Sequence, residues 1–284
     1  MNIDRRRFSK LAGAAAIAPF AALAAGIARA EETLEQARAR SHAAHEALAA
    51  RDGLKMLGEE TIAMLLYPGF TALDLVGPQY MFASMIGAKV QLVAKGPELA
   101  PVMSDTGLAI QPDAGFADVP EKPTILFVPG AAGGLIEALQ DAETIAFIKD
   151  RGAQADYVTS VCTGSLLLGM AGLLKGKRAT SHWVTRSLLP EFGATPVDAR
   201  VVTDGRIITG GGVTAGLDFG LSLLAALRGA DYARAIQLQA EYAPEPPFTA
   251  GTPEAAGPFL AESLDGIFAP IVAQARQAAA RRGG

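Results

Sequence analysis

The sequence predicts an α/β fold: a mostly parallel central sheet with helices on both faces. Three observations predict it. From Thr61 onward, short β-branched and aromatic runs alternate with helical patterns, the arrangement of a parallel sheet covered on both sides. The run Tyr157-Val-Thr-Ser-Val161 passes through Cys162 into Thr163-Gly-Ser165 and the helical Leu166 to Ala171, which puts a cysteine at a strand–helix joint. The turn after Tyr67, the glycine run after Val128 and Cys162 itself all fall at strand carboxyl ends, where such sheets carry their sites.

Taken in order, residues 1–30 read as a leader. Arg5-Arg6-Arg7 lies in a charged start, Leu11 to Ile27 is an uncharged alanine-rich run of 17 residues, and Ala28-Arg29-Ala30 is a small-residue cleavage signal. The run is shorter than the roughly 20 residues of a membrane span, so a twin-arginine signal peptide cut after Ala30 and a periplasmic location are expected, with an uncleaved signal anchor as the alternative. Residues 31–59 form a helical extension whose apolar positions are mostly alanine; His42 and His45 share a face there but lack a third metal ligand and read as solvated.

The α/β domain spans 60–248. Strands are expected at Thr61 to Tyr67, Lys89 to Ala94, Pro123 to Val128, Tyr157 to Val161, Lys177 to Thr180 and Val201 to Thr209. Helices are expected at Pro78 to Ile86, Glu143 to Arg151, Leu166 to Ala171, Ala215 to Leu227 and Tyr232 to Tyr242, with a hairpin or crossover in 96–122. Residues 249–284 read as a glycine/proline linker and an alanine- and arginine-rich helix with a frayed end.

Composition narrows the function. With 25 basic and 29 acidic residues and no basic stripe, nothing points to nucleic acid. Cys162 is the only cysteine, so no internal disulfide can form. At a helix N-terminus its thiol is expected to lean toward thiolate, as a nucleophile on an elbow like the serine of α/β-hydrolases; the bland alternative is a packed free cysteine. Asp74, flanked by Leu73, Leu75, Val76 and Gly77, is expected on the loop after the first strand. There it is either a desolvated carboxyl of raised pKa or the N-cap of the helix at Gly77-Pro78. His182 beside Trp183 is a second candidate partner, read mainly as structural. Gly210-Gly211-Gly212 lacks the spacing of a phosphate loop and reads as close packing against the sheet.

Six motifs in order carry a resemblance: Tyr67-Pro-Gly-Phe-Thr-Ala-Leu-Asp74-Leu-Val-Gly77-Pro78, Val128-Pro-Gly130, Thr159-Ser-Val-Cys162-Thr-Gly-Ser, Ala179-Thr-Ser-His182-Trp183, Thr209-Gly-Gly-Gly-Val-Thr-Ala-Gly216, and Gln239 to Phe248. Across about 60 to 255 the chain resembles the isonitrile hydratase branch of the PfpI-like, class I glutamine amidotransferase-like superfamily. The resemblance implies a flavodoxin-like three-layer sandwich, commonly a homodimer, that uses no metal or organic cofactor on a small-molecule substrate. It implies Cys162 as nucleophile, Asp74 as proton donor and Thr163 as a third catalytic residue; protease-like relatives carry histidine at that place. Backbone donors at Gly130 or Ala131, with Gly77 near the same loop, are expected to position the substrate, although many relatives have glycine where this chain has Ala131. The expected reaction is attack of Cys162 on the terminal isonitrile carbon, protonation of nitrogen by Asp74 to a thioimidate, and hydrolysis to an N-substituted formamide. Pro244 to Phe248 is expected either as a lid over the site or at a dimer edge.

Two other readings compete. A small-ligand sensor like those preceding the helix-turn-helix domain of AraC-type regulators is disfavoured, because 249–284 is too short for such a pair of motifs. Another thiol-dependent hydrolase or repair activity is disfavoured by Thr163 and Asp74.

Overall fold

The computed structural model describes residues 32–96 and 98–282, so the twin-arginine leader lies outside the described residues. The chain forms two units, one ending at Leu48 and one running from Ala49 onward. The first holds all but the last residue of helix α1 (Leu34–Ala49), which carries no buried residue. His42 pairs with Glu46 and His45 Nδ1 with the Ser41 carbonyl, so the two histidines serve separate local contacts.

The second unit is built on β1 (Thr61–Leu65), α2 (Ala72–Ala83), β2 (Lys89–Ala94), β3 (Val102–Met103), β4 (Ala109–Ile110), β5 (Ala114–Gly115), β6 (Ile125–Val128), α3 (Leu135–Gln140), α4 (Ala142–Gln154), β7 (Tyr157–Val161) and α5 (Gly164–Met170). It continues through β8 (Arg178–Ala179), β9 (Thr195–Pro196), β10 (Val201–Asp204), β11 (Ile207–Gly210), α6 (Ala215–Arg228), α7 (Ala230–Gln239), α8 (Pro253–Ala256) and α9 (Pro258–Arg282). The main sheet has the order β10-β11-β7-β6-β1-β2-β5, parallel throughout except for the β10/β11 edge hairpin. The strands at its centre are buried along almost their whole length, as expected of a sheet covered on both faces. Helices α2, α6 and α7 pack together in one layer, and α3, α4, α5 and α9 form the other. Phe82, Phe127 and Phe219 meet edge-on or tilted with ring centroids 5.8–6.2 Å apart, joining α2 and α6 to the sheet.

The predicted strands 89–94 and 157–161 coincide with β2 and β7. The expected strand at Val201 to Thr209 is instead the hairpin β10/β11, because Gly205 takes φ 62° and turns the chain. The helix expected from Pro78 begins six residues earlier, at Ala72, and Pro78 lies inside it. A proline there forfeits one intrahelical hydrogen bond, and packing offsets that loss: Gly216 and Gly220 let α6 come so close that a Cβ on Gly216 would sit 3.1 Å from Pro78 Cδ and one on Gly220 2.7 Å from Met81 Cγ. Gly77 belongs to the same contact, its Cβ direction facing Leu217 at 3.6 Å, so it serves helix packing and not substrate positioning.

Candidate active site

Cys162 follows β7 directly and takes φ 58°, a left-handed conformation that is strained for a side chain bearing Cβ. Hydrogen bonds hold it there. Its N–H donates to the carbonyls of Gly210 and Gly211 at 3.1 and 2.8 Å, and its own carbonyl accepts from the hydroxyls of Ser165 and Ser181, each at 3.2 Å. The Gly210-Gly211-Gly212 run therefore supplies carbonyls to the elbow, and Gly212 leaves room for the His182 ring, whose Cδ2 lies 2.9 Å from where a Cβ would be.

Asp74 is 0 % exposed and lies in the first turn of α2, with Thr71 as the N-cap residue. It is thus neither on a loop nor a cap. Its Oδ2 accepts the Gly130 N–H at 3.0 Å, and Oδ1 has no aligned donor in this resting geometry. Burial pushes its pKa up to about 7, against the stabilising effects of the neighbouring Cys162 thiol and the Gly130 N–H, and the charge of Asp105 adds to the rise. The Cys162 thiol is also pushed up, first by burial and then by Asp74, although the N–H groups of Thr163 and Val213 favour its anion. This corrects the expectation of a free thiolate: α5 has only seven residues, and desolvation beside a carboxylate outweighs its N-terminus.

The loop after β6 closes this pair. The position a Gly130 Cβ would occupy is 2.7 Å from Asp74 Oδ2, from Cys162 Cβ and from Thr163 N, so only glycine fits between the three. A Gly130→Ala substitution is expected to displace this loop, lowering turnover by about 100-fold and stability by about 1–3 kcal/mol, read from kcat/KM and thermal unfolding. The Gly130 N–H is spent on Asp74, and the Ala131 N–H goes to Thr163 Oγ1 at 2.8 Å. Neither is the free substrate donor the sequence suggested. Thr163 Oγ1 in turn donates to the Ala131 carbonyl at 2.8 Å, so its hydroxyl clasps this loop in place. The N–H groups directed at the sulfur are those of Thr163 and Val213.

Cys162 and Thr163 open into a cavity of about 220 Å³. Ala131, Val184, Val213, Phe268 and Ile271 make its wall apolar, and Thr71, whose hydroxyl donates to Asp105 at 2.5 Å, lies at its rim. His182 lines the cavity too, its ring centroid 5.9 Å from that of Trp183 and 6.1 Å from that of Phe268. Burial and the charge of Arg186 lower its pKa, which keeps the imidazole neutral at physiological pH. Sequence reasoning missed Thr71, Asp105, Phe268 and Ile271. Thr71 lies within the Tyr67 to Pro78 motif, but nothing local marks Asp105 or the α9 residues. None of residues 244–248 lines the cavity, and Phe248 is 78 % exposed, so that segment is not the lid. Among the described residues no three His, Cys, Asp or Glu side chains are placed to hold a metal ion, and no helix is long and apolar enough to cross a membrane.

The DJ-1/PfpI family model matches residues 60–226, the stretch that holds the Cys162 elbow after β7 and the Asp74 carboxyl of α2. The chain belongs to the DJ-1/PfpI family. It is 52 % identical over 195 residues to an isonitrile hydratase of Pseudomonas putida, a match covering 69 % of this chain and 84 % of that protein. A crystal structure of a ThiJ/PfpI family protein from Pseudomonas syringae superposes with a TM-score of 0.78 at 53 % identity, covering 80 % of this chain and 93 % of that one. Schizosaccharomyces pombe DJ-1, at 20 % identity and a TM-score of 0.56, covers 65 % of this chain and 100 % of that one and shares the DJ-1/PfpI fold.

Proposed function

We propose that this DJ-1/PfpI protein hydrates isonitriles to N-substituted formamides, with Cys162 as nucleophile and Asp74 as the group that carries protons. The observation behind this reading is a thiol backed by a buried carboxyl at the base of an apolar cavity with no cationic side chain in its lining. Such a site suits a neutral electrophile whose reactive atom is terminal and slim. The similarity to the Pseudomonas putida isonitrile hydratase supports the same substrate class.

The reaction runs through one shared proton. Asp74 takes the thiol proton as sulfur bonds to the terminal carbon, and that proton is then delivered to carbon, giving the thioimidate R–N=CH–S–Cys. Proton balance moves this first transfer from the nitrogen expected above to carbon, because the formamide carries a C–H. Water then adds to the same carbon, and the proton it gives up passes through Asp74 to the nitrogen, which leaves Asp74 ionised again. Collapse of R–NH–CH(OH)–S–Cys breaks the C–S bond, returns the hydroxyl proton to sulfur through Asp74 and releases R–NH–CHO. Thr163 and Gly130 hold the loop that seats Asp74 against the sulfur.

The pH profile tests the proton inventory. With both Cys162 and Asp74 protonated there is no base, so kcat/KM for cyclohexyl isocyanide is expected to rise with pH through about 7 as the pair loses its first proton. At higher pH, loss of the second proton leaves none to deliver, and the rate falls. A profile flat between pH 5.5 and 8.5 would rule out Asp74 as the titrating base.

Export and assembly complete the reading. The Arg5-Arg6-Arg7 start and Ala28-Arg29-Ala30 support twin-arginine export to the periplasm, and amino-terminal sequencing of cell-derived protein should begin at Glu31. The exposed row Leu73, Val76 and Tyr80 on α2 supports a homodimer, which light scattering should report at twice the chain mass.

A further inference from the structure

We infer that the C-terminal helix α9 builds the subsite for the isonitrile substituent, with Phe268 and Ile271 setting which apolar groups fit. This rests on the isonitrile hydratase reading of the same cavity. Neither residue lies within the 60–226 stretch that defines the family, yet both line the cavity that Cys162 opens into.

The helix is held so that these two side chains face the site. Phe268, Ile271, Val272, Ala275, Ala278 and Ala279 recur at helical spacing on one face, and the alanines at its far end are fully packed. That face rests on α3 and on the 3-10 helix Arg186–Phe192, and Arg276 Nε donates to Glu191 Oε1 at 2.8 Å. The 3-10 helix follows directly on the Ser181–Thr185 segment, which brings His182, Val184 and Thr185 into the same lining. The Phe268 ring stands 6.1 Å from the His182 ring, so the two close the cavity from different segments. Cys162 lines the cavity from the end of β7, with Asp74 buried behind it on α2. A substrate carbon bonded to sulfur therefore directs its substituent outward, into the space Phe268 and Ile271 bound. Phe268 and Ile271 are the α9 residues in the lining and both are apolar, so the part of the substituent that meets α9 is a hydrocarbon, and its size is limited by the phenyl ring.

Steady-state kinetics on cyclohexyl, benzyl and 2-naphthyl isocyanides, with the mature wild-type protein and its Phe268→Ala, Phe268→Leu and Ile271→Ala variants, tests this. The ratio of kcat/KM for naphthyl over cyclohexyl should rise about tenfold or more in Phe268→Ala and less in Phe268→Leu. KM for the cyclohexyl substrate should rise with kcat little changed, a split that general loosening of the fold would not give. An unchanged substrate ratio in folded Phe268→Ala and Ile271→Ala overturns the inference while leaving the hydratase reading in place. Absence of turnover of every isocyanide by the wild type overturns the hydratase reading instead. The subsite is then judged by calorimetric titration of N-cyclohexylformamide into Cys162→Ala and Cys162→Ala/Phe268→Ala. Weaker binding in the double variant by about tenfold supports α9 as the apolar wall, and equal binding, or none to either, refutes it.

Discussion

Cys162→Ala is expected to abolish formamide production, by at least about 10³-fold in kcat/KM, while the protein stays folded. Among the described residues, the sulfur is the nucleophile in the cavity lining that has both a carboxyl behind it and two backbone N–H groups directed at it. Removing it deletes the covalent route and touches little else, since the elbow is held through the backbone N–H and carbonyl of residue 162. Asp74→Asn is the companion variant, with an expected loss of about 10²–10⁴-fold, because the amide keeps the shape and cannot take the thiol proton. A second readout separates this from structural damage. A carboxyl whose folded pKa is raised from the ordinary range to about 7 costs stability progressively as pH rises between those two values, and the full cost is present above 7. Asp74→Asn should therefore be more stable than the wild type at pH 8 and show little difference at pH 4. Full turnover in either variant would sink the thiol mechanism.

The second large effect is on stability. Arg228, at the end of α6, is 0 % exposed and meets Glu60 through two hydrogen bonds, Nη2 to Oε2 at 2.5 Å and Nε to Oε1 at 2.9 Å. The same guanidinium donates to the carbonyls of Met56 and Ile86 at 3.1 Å and stands 5.6 Å over the Tyr232 ring. It thereby ties the segment before β1, the chain after α2, and α7 to one charge. Arg228→Met is expected to cost about 3–5 kcal/mol by removing the buried partner of Glu60, which keeps only the half-exposed Lys55 at 3.3 Å. That corresponds to a Tm lower by on the order of 10 °C for a domain of this size. Arg228→Met/Glu60→Leu should recover much of the loss, since the double replacement leaves no orphaned charge. Burial alone would raise the Glu60 pKa, but Arg228 and Lys55 hold it below the ordinary value. The pair's contribution is thus complete above the ordinary glutamate range and is lost as pH falls through the lowered value. Equal wild-type and Arg228→Met melting temperatures at pH 7 would show that the pair is not a stabilising tie.

Local pattern carried the fold because the signals it needed were local. Tyr157 to Val161 is β-branched and continuously apolar or small, and the capping-type residues after Cys162 turn the chain into a helix, so the elbow could be read without knowing its neighbours. The start of α2 could not. Pro78 reads as a helix opening, and only the close approach of Gly216 and Gly220 on α6 makes a proline inside the helix tolerable. That shift carried Asp74 from an expected loop into a helical turn facing inward. The backbone donors of Gly130 and Ala131 were misassigned for a related reason. A sequence shows which N–H groups exist but not which carboxyl or hydroxyl has already claimed them.

By itself, the sequence determined the α/β class, the place of the lone cysteine at a strand–helix joint, and the family to which the chain belongs. These follow from the order of apolar runs, glycines and one thiol along the chain. Only the tertiary structure decided the proton affinity of the pair, because burial and the contact between the two groups, and not the end of a short helix, raise both Cys162 and Asp74. It also decided the upper wall of the cavity. Phe268 and Ile271 lie about a hundred positions from Cys162 and look like any helix stripe until α9 packs on the 3-10 helix and brings them into the lining of the cavity that Cys162 shares.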